Sequence, residues 1–337
     1  MSKSKKIKTI LNVVLKILVS LGSILYLVYL LSYQKEDLIE EVKIFFSTQH
    51  FSIPKLLILV LLMMVNWGTE VFKWRLLVRG LFPMSWMFAI KTQLCSVAAS
   101  VFTPYRIGGY FGKVALLEHK YRANGFVLQF FNAMGMFITN FFYGLLFIGV
   151  LAYRAEKDIY GISSELISIL GFIGASIVLV FWVLFINVNT VTFLFERVWW
   201  TNKWAEYWDI LRGVDYKKNA FILLSVSNLR YIVITYQYVL AFQVFGIKID
   251  QQDLFLASGA LFFLFQFLPV FNAFELGASR ASLFSIILIG YGIVDSFDEQ
   301  QVIAMTSACF FIWFINLAIP YVLGSVFLSK MKVLKES

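Results

Sequence analysis

The sequence predicts an all-α polytopic membrane protein with about six full spans and two re-entrant helical hairpins in an inverted-repeat arrangement. Three observations predict this fold class. Hydrophobic residues make up 60% of the 337 residues and charged residues only 15%, with a mean hydropathy of +0.78; a soluble domain of this composition would expose one continuous apolar surface. Six apolar segments are long enough to cross a bilayer, and two further segments are apolar but interrupted by proline.

The six uninterrupted segments each exceed the ~20 residues that a helix needs to cross the hydrocarbon core. The first follows the basic start "MSKSKKIK"; it is too long for the apolar part of a signal peptide and has no cleavage site, so we expect an uncleaved span. The predicted spans are 9–33, 54–78, 123–153, 164–187, 219–246 and 299–327.

The two interrupted segments, 84–118 and 251–294, contain Pro104 and Pro269 near their middles. The arm from Tyr105 to Glu118 has 14 residues, about 21 Å of helix, which is shorter than a ~30 Å hydrocarbon core. We therefore predict that each segment is a hairpin that enters and leaves the membrane by the same face.

Charge distribution supports the hairpin interpretation. With two hairpins, the N-terminus and the segments 73–80, 113–122, 196–218 and 330–336 fall on one side and contain 18 of the 29 Lys and Arg residues. The other side contains six, against twelve acidic residues. Because basic residues are retained on the cytoplasmic side, we expect both termini in the cytoplasm.

This topology divides a single membrane domain, 1–337, into two halves of opposite orientation, 1–155 with the hairpin 84–118 and 156–337 with the hairpin 251–294. Inverted repeats of this kind occur in transporters, whose broken helices meet near the bilayer midplane at the substrate site. The alternative is a set of about eight ordinary helices, two of them kinked by proline.

Five ionisable side chains are predicted to lie deep in the membrane: Glu70, Arg106, Arg230, Glu275 and Arg280. Each costs at least ~2.5 kcal/mol at the bilayer centre unless it is paired or hydrated. Two structural ion pairs, Arg106–Glu275 and Glu70–Arg230, would hold the halves together. Arg280 then remains, and the set carries a net charge of +1, which suits one anionic group such as phosphate, because Arg binds phosphate in a bidentate manner.

The residues around the two breaks complete the predicted substrate-binding set. Gly108 and Gly109 begin the returning arm of the first hairpin, where free N–H groups and the positive helix end favour an anion. Glycine could instead permit close helix packing. The other predicted substrate-binding residues are Arg106, Arg280, Glu275, Thr103, Tyr105 and Asn272, with Glu70 and Arg230 as supporting charges.

The sequence does not show the residue patterns that other function classes require. No carboxylate pair, nucleophile with a base, or His/Cys/Asp cluster is evident, so we expect neither an enzyme nor a metal site nor a cofactor. Cys95 and Cys309 lie in apolar segments and are predicted to pack as small hydrophobic residues. The net charge of +9 is explained by topology, so nucleic acid is not an expected partner.

The motif "TPYRIGGYFGKVALL" (103–117) resembles the TP-x-R-x-GE signature of the lysylphosphatidylglycerol synthase transmembrane region, the flippase-like membrane domain family. "NWGTEVFKWRLLV" (66–78) is similar to the second-span motif of that family, and "LPVFNAFELGASRASL" (268–283) falls at its Pro/Gly-rich break. Gly109 stands where the family usually has glutamate, which Glu275 could replace from the opposite hairpin. The chain ends about ten residues after its last predicted span, so we expect a stand-alone member without the synthase domain.

The resemblance implies movement of lipids or lipid-linked head groups between leaflets. Our first hypothesis is accordingly a translocase for an anionic phospholipid or polyprenyl-linked lipid, whose phosphate is held between the hairpin tips at mid-membrane. The second is a membrane scaffold that binds protein partners in a cell-envelope complex, with its buried charges serving only structure.

Overall fold

The computed structural model describes residues 47, 52–101, 103, 106–155, 157–187, 216–267 and 278–329. Apart from one isolated bridge between Ile159 and Ile162, the regular structure within these ranges is helical. In chain order the helices are α1 (Ile53–Val78), α2 (Trp86–Ser100), α3 (Ile107–Ala115), α4 (Arg122–Arg154), α5 (Ser164–Ile186), α6 (Tyr216–Val244), α7 (Gln251–Phe265), α8 (Ala278–Gly290), α9 (Glu299–Trp313) and α10 (Ile319–Ser329), with a π-helical segment, Phe314–Ala318, joining the last two.

Four helices of the described ranges are long and apolar enough to cross a membrane: Ile53–Val78, His119–Arg154, Ser164–Ile186 and Gln300–Leu328. They match four of the six predicted spans. The predicted span 9–33 lies outside the described residues. The predicted span 219–246 corresponds to α6, which has 29 residues but is not among these four, since its sequence is more polar.

Helix starts follow from local sequence. Pro54 lies in the first turn of α1, where its missing N–H costs no hydrogen bond. The Ser85 hydroxyl accepts a hydrogen bond from the Phe88 N–H at 3.2 Å and caps α2. Asp298 and Gln301 form a reciprocal capping box at the start of α9, which satisfies two N–H groups that a helix end otherwise leaves unpaired.

The first interrupted segment forms a pair of short helices, α2 and α3, that pack against each other. They run antiparallel, because Gly108 lies against Ala99, and Gly112 lies against Cys95 one turn further from the break. A Cβ atom at Gly112 would come within 2.6 Å of the Cys95 carbonyl oxygen, so glycine is required for this approach. With 15 and nine residues, the helices are about 22 and 14 Å long, shorter than the ~30 Å core.

The second interrupted segment likewise gives two short helices, α7 and α8, in contact with each other. They have 15 and 13 residues. The Arg280 guanidinium carbon at the start of α8 lies 4.8 Å from the ring centroid of Phe265 at the end of α7, so the two helices are close together at these ends. The predicted break, 268–277, falls outside the described residues.

Helix α6 is the centre of the bundle and packs against α1, α4, α5, α7 and α9. Its large side chains Tyr231, Tyr238 and Phe242 are fully buried. A helix enclosed by protein on several sides can carry polar side chains that a lipid-facing helix cannot, which accounts for the lower apolar content of α6.

Several helix contacts in one predicted half have counterparts in the other. In the first half α1 contacts α2 and α4, and α3 contacts α4; in the second half α6 contacts α7 and α9, and α8 contacts α9. Each predicted half also packs one helix of its interrupted segment against the last helix of the other half: α2 packs on α10, and α7 packs on α4. Glycine permits both of these contacts. Gly324 lies against Leu94 in the first, and Gly144 lies against Phe263 in the second.

Two large apolar cores lie on either side of the bundle centre. One contains side chains from α1, α3, α4, α5 and the start of α6, including Trp74, Leu128 and Leu223. The other combines the end of α6 with α7, α8 and α9. A polar group at the middle of α6 is therefore located between the cores rather than inside one of them.

The close contact between α10 and α2 at Gly324 can be tested with matched alanine substitutions. A Cβ atom there would lie 2.6 Å from the Leu94 carbonyl carbon, whereas a Cβ at Gly68 meets nothing within 4 Å. We expect Gly324→Ala to reduce the free energy of unfolding by ~1–3 kcal/mol, because the backbones must separate. Gly68→Ala should leave stability equal or higher, since alanine favours helix by ~1 kcal/mol. Unfolding in detergent measures both, and equal effects would contradict the close contact.

Candidate functional site

The carboxylate of Glu70, buried on α1, is surrounded by three cations from three helices. Its Oε1 lies 2.6 Å from Lys73 Nζ and 2.7 Å from Arg230 Nη1, and its Oε2 lies 3.7 Å from Lys113 Nζ. We call Glu70, Lys73, Lys113 and Arg230 the buried charge cluster. It joins α1 and α3 of the first half to α6 of the second.

Both lysines lie near helix C-termini yet are buried, with residue exposures of 0% for Lys73 and 1% for Lys113. Helical side chains lean toward the N-terminus of their own helix. From these positions that direction leads back into the bundle, so Lys73 reaches Glu70, one turn earlier on α1. Leaning also brings Lys113 Nζ to 5.1 Å from the ring centroid of the buried Trp74, a cation–π distance.

Neutral polar side chains supply further contacts to the lysines. Lys73 Nζ donates to Ser227 Oγ on α6 at 3.2 Å. Lys113 Nζ donates to Gln129 Oε1 on α4 at 3.0 Å. Hydrogen bonds of this kind reduce the cost of removing a charge from water.

Arg230 places the cluster at the crossing of α1 and α6. Its Nε donates to Asn66 Oδ1 at 2.8 Å. Asn66 is the fourteenth of the 26 residues of α1, and Arg230 is the fifteenth of the 29 residues of α6. The two helices are antiparallel, since Lys73 contacts Ser227 while Gln237 donates to the Leu59 carbonyl. They therefore cross near their midpoints.

A chain of amide hydrogen bonds extends the polar region to the last helix. Asn316 Oδ1 accepts from Asn66 Nδ2 at 3.0 Å, and Asn316 Nδ2 donates to Gln237 Oε1 at 3.0 Å. Asn316 belongs to the π-helical segment, whose altered hydrogen bonding frees backbone carbonyls. Its own carbonyl accepts from Trp67 Nε1 at 3.1 Å.

The charges of the cluster do not balance. One carboxylate faces three cations, which leaves a surplus of two positive charges, and in the described part of the chain Glu70 is the acid in contact with them. Uncompensated charge in an apolar surrounding is costly. The surplus is reduced by uptake of an anionic group or by release of a proton from a lysine.

Two buried polar atoms beside the cluster lack hydrogen-bond partners among the described residues. Asn132 Nδ2 donates to Glu70 Oε2 and to Gln129 Oε1, both at 3.3 Å, whereas its Oδ1 is buried without a partner. The Nε1 of Trp74, whose ring lies under Lys113, is likewise buried without one. Buried polar atoms are normally satisfied, so the hydrogen bonding of this region is incomplete.

The predicted ion pair between Glu70 and Arg230 is confirmed. At the first break, Arg106 is exposed and immediately precedes α3. Its backbone is in the left-handed region, with a φ of 59°. Thr103 Oγ1 accepts a hydrogen bond from the Gly108 N–H at 2.8 Å. Gly108 and Gly109 pack against α2, which is the alternative that the sequence left open for them.

At the second break, Arg280 is half-buried. Its Nη1 donates a hydrogen bond to the Tyr238 hydroxyl, and its guanidinium lies over the Phe265 ring. The helices that begin at the two arginines have different neighbours: α3 packs on α2 and α4, and α8 packs on α7 and α9.

Five residues of the predicted hairpin tips lie outside the described residues. They are Pro104, Tyr105, Pro269, Asn272 and Glu275. The proposed meeting of the tips and the pair Arg106–Glu275 therefore stay predictions.

The sequence interpretation was wrong for two lysines. It placed Lys73 and Lys113 among the charges flanking the membrane, together with Arg75 and Arg122, whereas their side chains are buried beside Glu70. The signal that could have found Lys73 is its spacing of three residues from Glu70, which puts both on one helix face. Lys113 stands alone in an apolar run and has no such local partner.

Cys95 and Cys309 are buried and unpaired by disulfide, as packing residues would be. Among the described residues, no group of three His, Cys, Asp or Glu side chains could hold a metal ion.

No family model, curated protein or solved structure matches this chain. The resemblance to the flippase-like membrane domain family therefore stays a prediction that depends on the sequence motifs, and the geometry of the cluster carries the functional argument.

The dependence of the bundle on Glu70 can be measured with two Glu→Gln variants. Glu70→Gln leaves three buried cations without a carboxylate, so we expect the free energy of unfolding to fall by ~3–5 kcal/mol. Glu118→Gln removes an exposed pair with Lys120, in which both side chains are more than half exposed, and should change stability by less than ~1 kcal/mol. Chemical unfolding in detergent compares them, and similar losses would show that Glu70 does not compensate buried charge.

Proposed function

We propose that the protein translocates anionic lipids or lipid-linked head groups between the leaflets of a bacterial inner membrane. The observation that carries this proposal is the buried charge cluster, with its surplus of two positive charges at the crossing of α1 and α6. A purely structural ion network needs only enough cations to match its carboxylate. A surplus of cations among apolar helices suits a protein that receives an anion from outside.

The physical task of such a protein is to lower the cost of moving a charged head group across hydrocarbon. A polar region at the middle of the bundle provides charged and amide partners, while the acyl or polyprenyl tails stay in lipid. The energy source would be a gradient, mass action or a partner. Both termini are proposed to lie in the cytoplasm.

The membrane topology proposed with this function has α2–α3 and α7–α8 as re-entrant hairpins of two inverted halves. The helix lengths support it, because none of these four helices spans a ~30 Å core alone. The corresponding contacts of the two halves support it too, since an inverted repeat places equivalent helices in equivalent surroundings.

The head group would meet the hairpin residues on its way to the cluster. Arg106 and Arg280 begin the returning arms, and we propose that they contact the phosphate, with Glu275, Thr103, Tyr105 and Asn272 near them. In this proposal the cluster holds the anion at the centre and the two arginines guide it from either side.

Lys113 is the cation whose removal separates transport from folding. Its Nζ is 3.7 Å from Glu70, against 2.6 and 2.7 Å for the other two cations, so Lys113→Gln leaves Glu70 compensated and reduces the surplus to one. We expect folded protein and at least ~10-fold slower movement of fluorescent phosphatidic acid in proteoliposomes, a loss of about 1.4 kcal/mol.

The matched control is Lys217→Gln, the same substitution at an exposed position of α6, which should leave the rate unchanged. Reconstituted wild-type protein that moves no anionic lipid faster than empty liposomes, or Lys113→Gln protein that moves it at the wild-type rate, would contradict the proposal.

A membrane scaffold for an envelope complex is the second candidate function. The ion pair Glu70–Arg230, which joins α1 to α6, favours it because that contact alone could hold the halves together. Under this function the surplus charge has no ligand.

Arg106→Gln distinguishes the two functions at the first break. Because Arg106 is exposed, we expect the variant to unfold within a few degrees of the wild-type temperature. As a translocase the protein should then lose most lipid movement, since the phosphate loses a bidentate partner. If the protein is a scaffold, the variant should show no change in lipid movement, whether or not it still binds its protein partners. Unfolding temperature and lipid movement are measured on the same preparation.

A further inference from the structure

The balance of charges and hydrogen bonds in the cluster indicates which anionic head group it takes. Resting on the function proposed above, we propose that the site binds a phosphate head group carrying two negative charges, a phosphomonoester or a diphosphate, in preference to a singly charged phosphodiester. The lipid source and soluble phosphate share this chemistry, and the experiment below separates them.

The ionisable groups in contact with the cluster decide the charge that an anion must carry. Lys73, Lys113 and Arg230 face Glu70 alone among the acids of the described residues. The phenol of Tyr110, on α3, is near enough to Glu70 to interact with it electrostatically and is neutral near pH 7. Two further negative charges would neutralise the cluster, and one would leave a buried positive charge.

The hydrogen-bond donors of the cluster favour a phosphate independently of the charge count. Arg230 uses Nε for Asn66 and Nη1 for Glu70, and its Nη2 makes no hydrogen bond within the described residues. The Arg230 side chain is 15% exposed, against 0% for that of Lys73 and 1% for that of Lys113, so an entering anion reaches Arg230 before the two lysines. Each Lys also has more N–H groups than bonds, since an ammonium carries three donors.

One of the two buried atoms without partners adds to this. Trp74 Nε1 is a donor and suits a phosphate oxygen. Asn132 Oδ1 is an acceptor, and a phosphate with two negative charges offers it no donor. A phosphate therefore supplies acceptors for the donors of the cluster as well as the negative charge.

The test compares two lipids with identical acyl chains, phosphatidic acid and phosphatidylglycerol, binding to the full chain in detergent by native mass spectrometry at pH 7. We expect phosphatidic acid to bind at least ~10-fold more tightly. The preference should shrink below pH ~6, where a phosphomonoester loses its second charge. Equal binding at pH 7 would overturn the proposal.

Two variants extend the comparison. Lys113→Gln, with one surplus charge left, should bring the ratio of the two affinities close to one, whereas Lys217→Gln should keep it. A wild-type ratio in Lys113→Gln would overturn the assignment to this cluster. The wild-type comparison of lipids does not depend on either variant folding.

The source of the phosphate and the proposed function are tested separately. Inorganic phosphate that competes as strongly as phosphatidic acid at equal concentration would overturn the assignment to a lipid. If proteoliposomes move phosphatidylglycerol as fast as phosphatidic acid, the head-group inference fails and the proposed function stands. If phosphatidic acid binds selectively and neither lipid is moved, the translocase function fails and the binding preference stands.

Discussion

A carboxylate buried between apolar helices must be compensated, and the contacts that compensate Glu70 connect three helices of the bundle. Lys73, Lys113 and Arg230 bring α1, α3 and α6 together at one point. Because a charge in hydrocarbon is so costly, these helices cannot separate without a large loss of free energy. The amide contacts of Asn66 and Asn316 extend the same constraint to the last helix, so the polar centre aligns elements that apolar packing alone would leave free to slide.

Close glycine contacts let the helices approach this centre. The pairs α2–α10 and α4–α7 are in van der Waals contact at Gly324 and Gly144, and small residues at such crossings are the usual means of helix association in membranes. The two contacts occupy corresponding places in the two halves. Since α1 and α6 cross near their midpoints, the charge cluster lies at the middle of both helices.

Much of the helical plan could be predicted from the sequence, and less of the site. Apolar length identified α1, α4, α5 and the final helix, because twenty uncharged residues leave few alternatives. Glu70 and Arg230 were evident as charges far from any span end, and they do pair. Lys73 and Lys113 were not, because a lysine near a span end usually extends to the interface, and only the direction of the side chain within the packed bundle shows that these two turn inward. The sequence also could not show that Gly108 and Gly109 pack against α2, since close packing and anion binding require the same residue.

The central claim is that two lysines and an arginine surround one carboxylate inside the membrane with positive charge to spare. A cryo-electron microscopy map of the full chain in nanodiscs containing phosphatidic acid tests it most directly. The account predicts that Lys73 and Lys113 point toward Glu70 and that phosphate density lies within hydrogen-bond distance of Arg230. A map in which both lysines extend to the lipid head groups, or in which α1 and α6 are apart at Asn66, would contradict it.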